Sequence, residues 1–213
     1  MTGVQTCALP ILFFERVKRT FFPVSFLQLS AGRKTAYLGV FIALAVMANI
    51  FSIDVSPTQK ISFTYLVGFF SGTLFGPFLG FIICFFGDVV AFLVNTGGGV
   101  YWLPTGICTG LLAFIPGLVM NGFRFSFRGS VYVKAAIAVA LMYLCVTCSL
   151  GAYSNFLYIK YVVYAGKEYA KPFMVYLGGK IIFSTVVSVV NYVLVFLLIP
   201  ALNAIKPLKL KIQ

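Results

Sequence analysis

Apolar residues along this 213-residue chain fall in whole blocks, not in stripes, and polar residues collect between the blocks. A block that is apolar on every side suits hydrocarbon, and ~20 residues rising ~1.5 Å each cross a bilayer core. Six blocks have this character: Thr35 to Ile53, Phe63 to about Phe75, Phe78 to Val94, about Thr105 to Met120, about Ala135 to Leu157, and about Val175 to Ile199. The pattern predicts an all-α polytopic membrane protein, a bundle of six transmembrane helices. The second block is short and ends at "FGP", so Gly76-Pro77 reads as the reversal of a tight helical hairpin, preferred to one long kinked span. Pro116-Gly117 is expected to interrupt the fourth span. Residues 54–61 and 95–103 read as loops, and no loop is long enough to bury a core of its own.

Four stretches divide the chain. Residues 1–11, "MTGVQTCALPI", resemble a translated sequencing-adapter read-through and are set outside the fold as an artefactual leader, with a signal peptide as the alternative. Residues 12–34 are a basic, amphipathic, membrane-surface segment. Residues 35–202 are the membrane domain, and 203–213 a basic tail.

Composition narrows the class further. The chain is 61% hydrophobic and 9% charged, with no histidine; soluble domains carry about 25% charged residues. The net charge of +12 lies between and beside the apolar blocks, which fits topology-setting positives and not a nucleic-acid groove. One side of a six-span layout collects Arg16, Lys18, Arg19, Arg33, Lys34, Arg124, Arg128, Lys134, Lys206, Lys209 and Lys211. The other holds Lys60, Lys160, Lys167, Lys171 and Lys180. That excess predicts both termini in the cytoplasm, with loops 54–61, 95–103 and 158–174 facing out together.

Several activities are disfavoured. Cys145-Val-Thr-Cys148 has CxxC spacing but no second pair and no histidine, so the cysteines read as small packing residues and no metal site is expected. There is no Walker loop, no HExxH and no pair of carboxylates in one span, so neither an enzyme nor a cofactor protein is expected. No acidic ring suggests a channel, and the chain is short for a transporter built of two repeated halves.

Candidate chemistry gathers at one mouth. Asp88 stands inside the third span, where a charge costs about 2.5–3.5 kcal/mol on insertion scales and is normally paired or functional. Positions 84, 88, 91 and 95 share a helical face that ends at Asn95. A structural clamp and a site wall are both open readings of Asp88. Gly97-Gly98-Gly99 then leads to Tyr101 and Trp102, which are interfacial anchors or the walls of a site for a flat ring. Thr105 caps the fourth helix or meets a ligand. Lys180, just inside the sixth span, snorkels to the interface or faces the cavity to pair with Asp88 or an anionic substrate. Asn191 reads as interhelical glue. Gly39 and Ala43, with Ala36, Ala45 and Ala48, form a small-residue stripe for internal packing or for another subunit.

The run "LFGPFLGFIICFFGDVVAFLVNTGGGVYWLPTGICTGLLAFIPGL", Leu74 to Leu118, resembles the S components (substrate-binding subunits) of energy-coupling factor (ECF) vitamin transporters, most closely the folate-type branch. The "GP", "GD", "LVN", "GGGVY" and "IPGL" pieces carry the resemblance. Asn95-Thr96 stands where the family has Asn-Pro, "PTGI" where it has Pro-Gly-Phe-Thr, and Lys180 nearest its early sixth-span arginine. The resemblance implies a multi-pass subunit of the bacterial plasma membrane that captures a vitamin, with folate favoured and riboflavin or another flat vitamin as the alternative. Asp88, Asn95, Tyr101, Trp102, Thr105 and Lys180 would line the site, under a lid formed by loop 54–61. Gly39 and Ala43 would dock on a scaffold transmembrane subunit that works with two cytoplasmic ATPases, and the loaded subunit would topple to release its cargo. A structural or assembly protein without a ligand is the alternative from another class.

Overall fold

A computed structural model describes residues 21–56, 59–95, 99–123, 129–164 and 172–204. The readings placed on residues 1–20, on Gly97 and Gly98, on Arg124, Arg128, Lys167 and Lys171, and on the tail from 205 onward lie outside the described residues.

One helical turn, Val24–Leu27, precedes the first long helix, α1 (Ala31–Ile50). Two short strands follow, β1 (Ile53–Ser56) and β2 (Gln59–Ile61), antiparallel with Ile53 opposite Ile61 and Asp54 opposite Lys60. The stretch read as a loop is therefore a small hairpin. Strands of four and three residues are too short for alternation to register in a sequence.

The hinge at "FGP" forms as expected. Gly76 takes φ +90°, open to glycine, and Pro77 starts the next helix, where its missing N–H leaves no bond unmade. It separates α2 (Thr64–Phe75) from α3 (Pro77–Val94). Helix α4 (Leu103–Gly122) runs unbroken through Pro116, against the expected interruption. Neighbouring helices hold the backbone there: Gly117 lies hard against Pro77, and a Cβ on it would crowd the Pro77 backbone. Helix α5 (Ser130–Val163) overruns the predicted span at both ends. Residues Met142–Leu150 and Ile159–Val163 within it are wound with i→i+5 bonds, a π-helical form. Helix α6 (Phe173–Ala204) completes the bundle.

Glycine sets how closely the middle helices approach. A Cβ on Gly72 would fall on the Ala113 carbonyl oxygen, and one on Gly80 would meet the Gly72 backbone. In lipid, where apolar burial between helices gains little, such contacts supply the packing. Phe69, Leu112, Met120, Met142, Val195 and Ile199 fill one core between α2, α4, α5 and α6. Ala45, Phe75 and Ile83 belong to a second, between α1, α2 and α3. Helices α1, α3, α4, α5 and α6 are long and apolar enough to cross a membrane; α2, at 12 residues, is shorter.

Residue pairs fix the directions. Pro77 meets Gly117 while Asp88 meets Tyr101, so α3 and α4 are antiparallel. Gly151 meets Lys180 while Tyr143 meets Thr185, so α5 and α6 are antiparallel. Asn49 bonds Thr64 where α1 gives way to α2. The hairpin, residues 99–102 and the start of α6 thus share one end of the bundle, its mouth.

Candidate functional site at the bundle mouth

The mouth has a step in it. Ser62, just before α2, accepts a bond from Asn191, 18 residues into α6 by sequence position. At ~1.5 Å per residue, α6 rises ~27 Å above that level. The taller α4, α5 and α6 therefore stand over the start of α2, beside the hairpin.

Two polar groupings line the upper part. In the first, the Tyr101 hydroxyl donates to Asp88 Oδ2 at 3.2 Å. Tyr101 lies over Gly106, which has no side chain to obstruct it, and its ring is 5.2 Å from Phe92. Burial, and then the adjacent Asp88 carboxylate, push the Tyr101 phenol well above its ordinary value, so it stays protonated and donates. Asn95 ends α3 and is exposed at the rim.

Trp102 points the other way, to α5. Its indole N–H reaches Ser154 Oγ and the Ser154 carbonyl oxygen, each at 3.1 Å, and its ring lies 6.0 Å from Tyr158. Thr105 Oγ1 is 3.4 Å from Ser154 Oγ, so its hydroxyl ties α4 to α5 and does not cap its own helix. Lys180 continues this seam on α6. It is only 6% exposed, so it faces into the bundle and does not snorkel outward. Its ammonium donates to the Gly151 carbonyl at 3.3 Å and stands 5.7 Å from the centre of the Tyr176 ring. An ammonium has three donors. Among the described residues this one has a single hydrogen-bond acceptor.

The structure thus joins Asp88 to Tyr101, joins Trp102 to Thr105 through Ser154, and places Lys180 one turn of α5 from Ser154. The neighbours Tyr101 and Trp102, read as one pair of contacts, belong to different groupings. Ser154, Gly151, Tyr158 and Tyr176 had gone unnoticed in the sequence. Ser154 sits in "GAYSNFLY", and a lone serine in an apolar helix gives no sign of its partner. Among the described residues no group of three or more His, Cys, Asp or Glu side chains could hold a metal.

The small-residue stripe on α1 also divides. Ala36, Gly39 and Ala43 are exposed, and a Cβ on Gly39 would meet nothing within 4 Å. Ala45 and Ala48 are buried, with Ala45 against Gly87 of α3.

A bundle of helices long and apolar enough to cross a bilayer, with polar groups gathered at one end, defines an integral membrane protein. The sequence profile of the ECF transporter substrate-specific component family matches residues 33–199, and the chain belongs to that family. This is a class of transporter components, not of enzymes. No curated protein sequence matches the chain. Among solved structures, "Crystal structure of FolT bound with folic acid" shares the fold with a TM-score of 0.61 at 21% identity, covering 78% of this chain and 92% of that one.

Proposed function

We propose that this chain captures folate outside a bacterial cell and delivers it by docking on a scaffold subunit driven by two ATPases. The observation that carries the reading is Lys180, a buried cation with one described hydrogen-bond acceptor at a mouth walled by Trp102. Folate presents carboxylates to a cation and a flat ring to aromatic walls. The folate-bound protein of the same fold supports that choice of vitamin. Asp88 braces Tyr101, while Asn95, Tyr101, Trp102 and Thr105 form the rim and wall. The excess of basic residues on the far side supports cytoplasmic termini and an outward mouth. The open Gly39 and Ala43 face of α1 is the docking surface for the scaffold.

Titration of the single tryptophan's fluorescence in the purified protein tests the reading, with folic acid first and riboflavin second. Saturable quenching by folic acid, confirmed by heat of binding, is expected. Binding of riboflavin alone would reassign the vitamin, and no response to any vitamin would overturn the reading. In a reconstituted complex Gly39→Leu should leave binding intact and abolish uptake; unchanged uptake would move the docking surface elsewhere.

A further inference from the structure

Two side chains at the mouth are held by one turn of α5. Lys180 donates to the Gly151 carbonyl at 3.3 Å, and the Trp102 indole donates to Ser154 Oγ and the Ser154 carbonyl oxygen at 3.1 Å each. The two acceptor residues lie three positions apart, a rise of ~4.5 Å. The stretch before them sets which way that turn faces. Met142–Leu150 is wound in the π form over nine residues, whereas π turns are usually single and often mark functional sites. Each π turn takes one residue more than an α turn, and one residue is ~100° of α-helical rotation. A rewound stretch would carry Gly151 and Ser154 around the helix, away from Lys180 and Trp102.

The residues of this stretch favour the π form. The Gly151 N–H donates to the Val146 carbonyl, five residues back. A Cβ at position 151 would lie 2.8 Å from that same oxygen, closer than real Cβ atoms come. Gly151 has φ −69° and ψ −37°, ordinary helical torsions, so glycine serves here for room and not for conformational freedom. Ser149 Oγ donates to the Leu144 carbonyl, also five residues back, at 2.8 Å. Within the stretch, Thr147 donates to the Tyr65 hydroxyl of α2, and Tyr143 pairs with Thr185 of α6. Both neighbours hold the winding in place.

We infer that Gly151 and Ser154 are positioning residues: on the π-wound α5 they set the Trp102 ring and the Lys180 ammonium in one fixed relation. Gly151 keeps the winding and supplies the acceptor for Lys180. Ser154 orients the indole and, through Thr105, ties it to α4. Ring and cation therefore shift together, because both hang on one turn. This rests on the vitamin-binding reading and adds the element that holds its two contacts in register.

Trp102 is the chain's only tryptophan, so its fluorescence in the ligand-free, full-length protein reports its own setting. Ser154→Ala should raise acrylamide quenching of Trp102 and weaken folic acid binding about five-fold, the loss of one hydrogen bond. Ser154→Thr, which keeps the hydroxyl, should restore both. Gly151→Ala should shift the Trp102 emission, although position 151 holds Lys180 and not Trp102, and weaken folic acid binding about ten-fold. In a Lys180→Ala background that loss should shrink, since residues that act through one another are not additive. Unchanged quenching in Ser154→Ala overturns the proposal whether or not a ligand binds, and decides the matter even where Gly151→Ala is not recovered folded. So does a Gly151→Ala loss of equal size with and without Lys180, the mark of damage unrelated to positioning. A wild type that binds neither folates nor flavins, with the fluorescence changes as expected, removes the proposed function and leaves the positioning standing.

Discussion

The contact among α2, α3 and α4 and the seam among α4, α5 and α6 share a helix but are built from opposite materials. The first is glycine against backbone: Gly72 on Ala113, Gly80 on Gly72, Gly117 on Pro77. The second is side chain against side chain: Trp102 and Thr105 on Ser154, Lys180 on Gly151, and Phe156 on Phe173 and Tyr176. Backbone contacts admit one arrangement and fail abruptly. Hydrogen-bonded side chains can exchange one partner for another. The glycine half thus holds the frame, and the polar half has groups to offer a ligand.

Gly72→Val tests the frame most severely. Its side chain would occupy the Ala113 carbonyl, at a cost of about 4 kcal/mol or more. No folded, monodisperse protein should be recovered in detergent; a wild-type unfolding temperature would show that the helices can separate. Lys180→Ala addresses the seam. Folic acid affinity should fall about thirty-fold, or ~2 kcal/mol, with thermal unfolding nearly unchanged. A large loss of stability with intact binding would make Lys180 structural instead. Trp102→Phe keeps a ring but loses the two contacts to Ser154 and should cost about 1 kcal/mol in unfolding measurements.

The smallest effect is expected at Tyr101. Its phenol is raised above the ordinary value of 10.0, first by burial and then by Asp88. The folded state therefore keeps that proton longer than the unfolded one. Its contribution is full below about pH 10 and is lost as the pH rises beyond it. Tyr101→Phe should flatten that part of the stability curve between about pH 9 and pH 11. An unchanged slope would detach Tyr101 from Asp88.

Much of the frame could be read from the chain. Continuous apolar blocks announce membrane helices, and Gly76-Pro77 marks a reversal because few other pairs suit that geometry. The hairpin at 53–61 was not legible, since three or four residues give no period. Pro116 misled because the sequence cannot show that Gly117 rests on Pro77. The polar groups at the mouth were legible by residue type but not by partner. Asp88, Trp102 and Lys180 stand out as misfits, yet nothing in their spacing tells that Tyr101 and Trp102 diverge. Asn191 is legible as interhelical glue, but that its amide reaches the Ser62 carbonyl is something only three dimensions can show.

The 12-residue length of α2 has an electrical consequence. Beneath the step the barrier is about one short helix, ~18 Å, while the surrounding hydrocarbon is ~30 Å thick. Were water to fill the mouth, a membrane voltage would fall chiefly across that thinner floor. Moving a unit charge through the whole voltage costs about 2.3 kcal/mol per 100 mV. On the proposed reading, an anion held at Lys180 would sit above the floor and meet only a small fraction of it, so capture is expected to proceed almost alike in energised and de-energised cells.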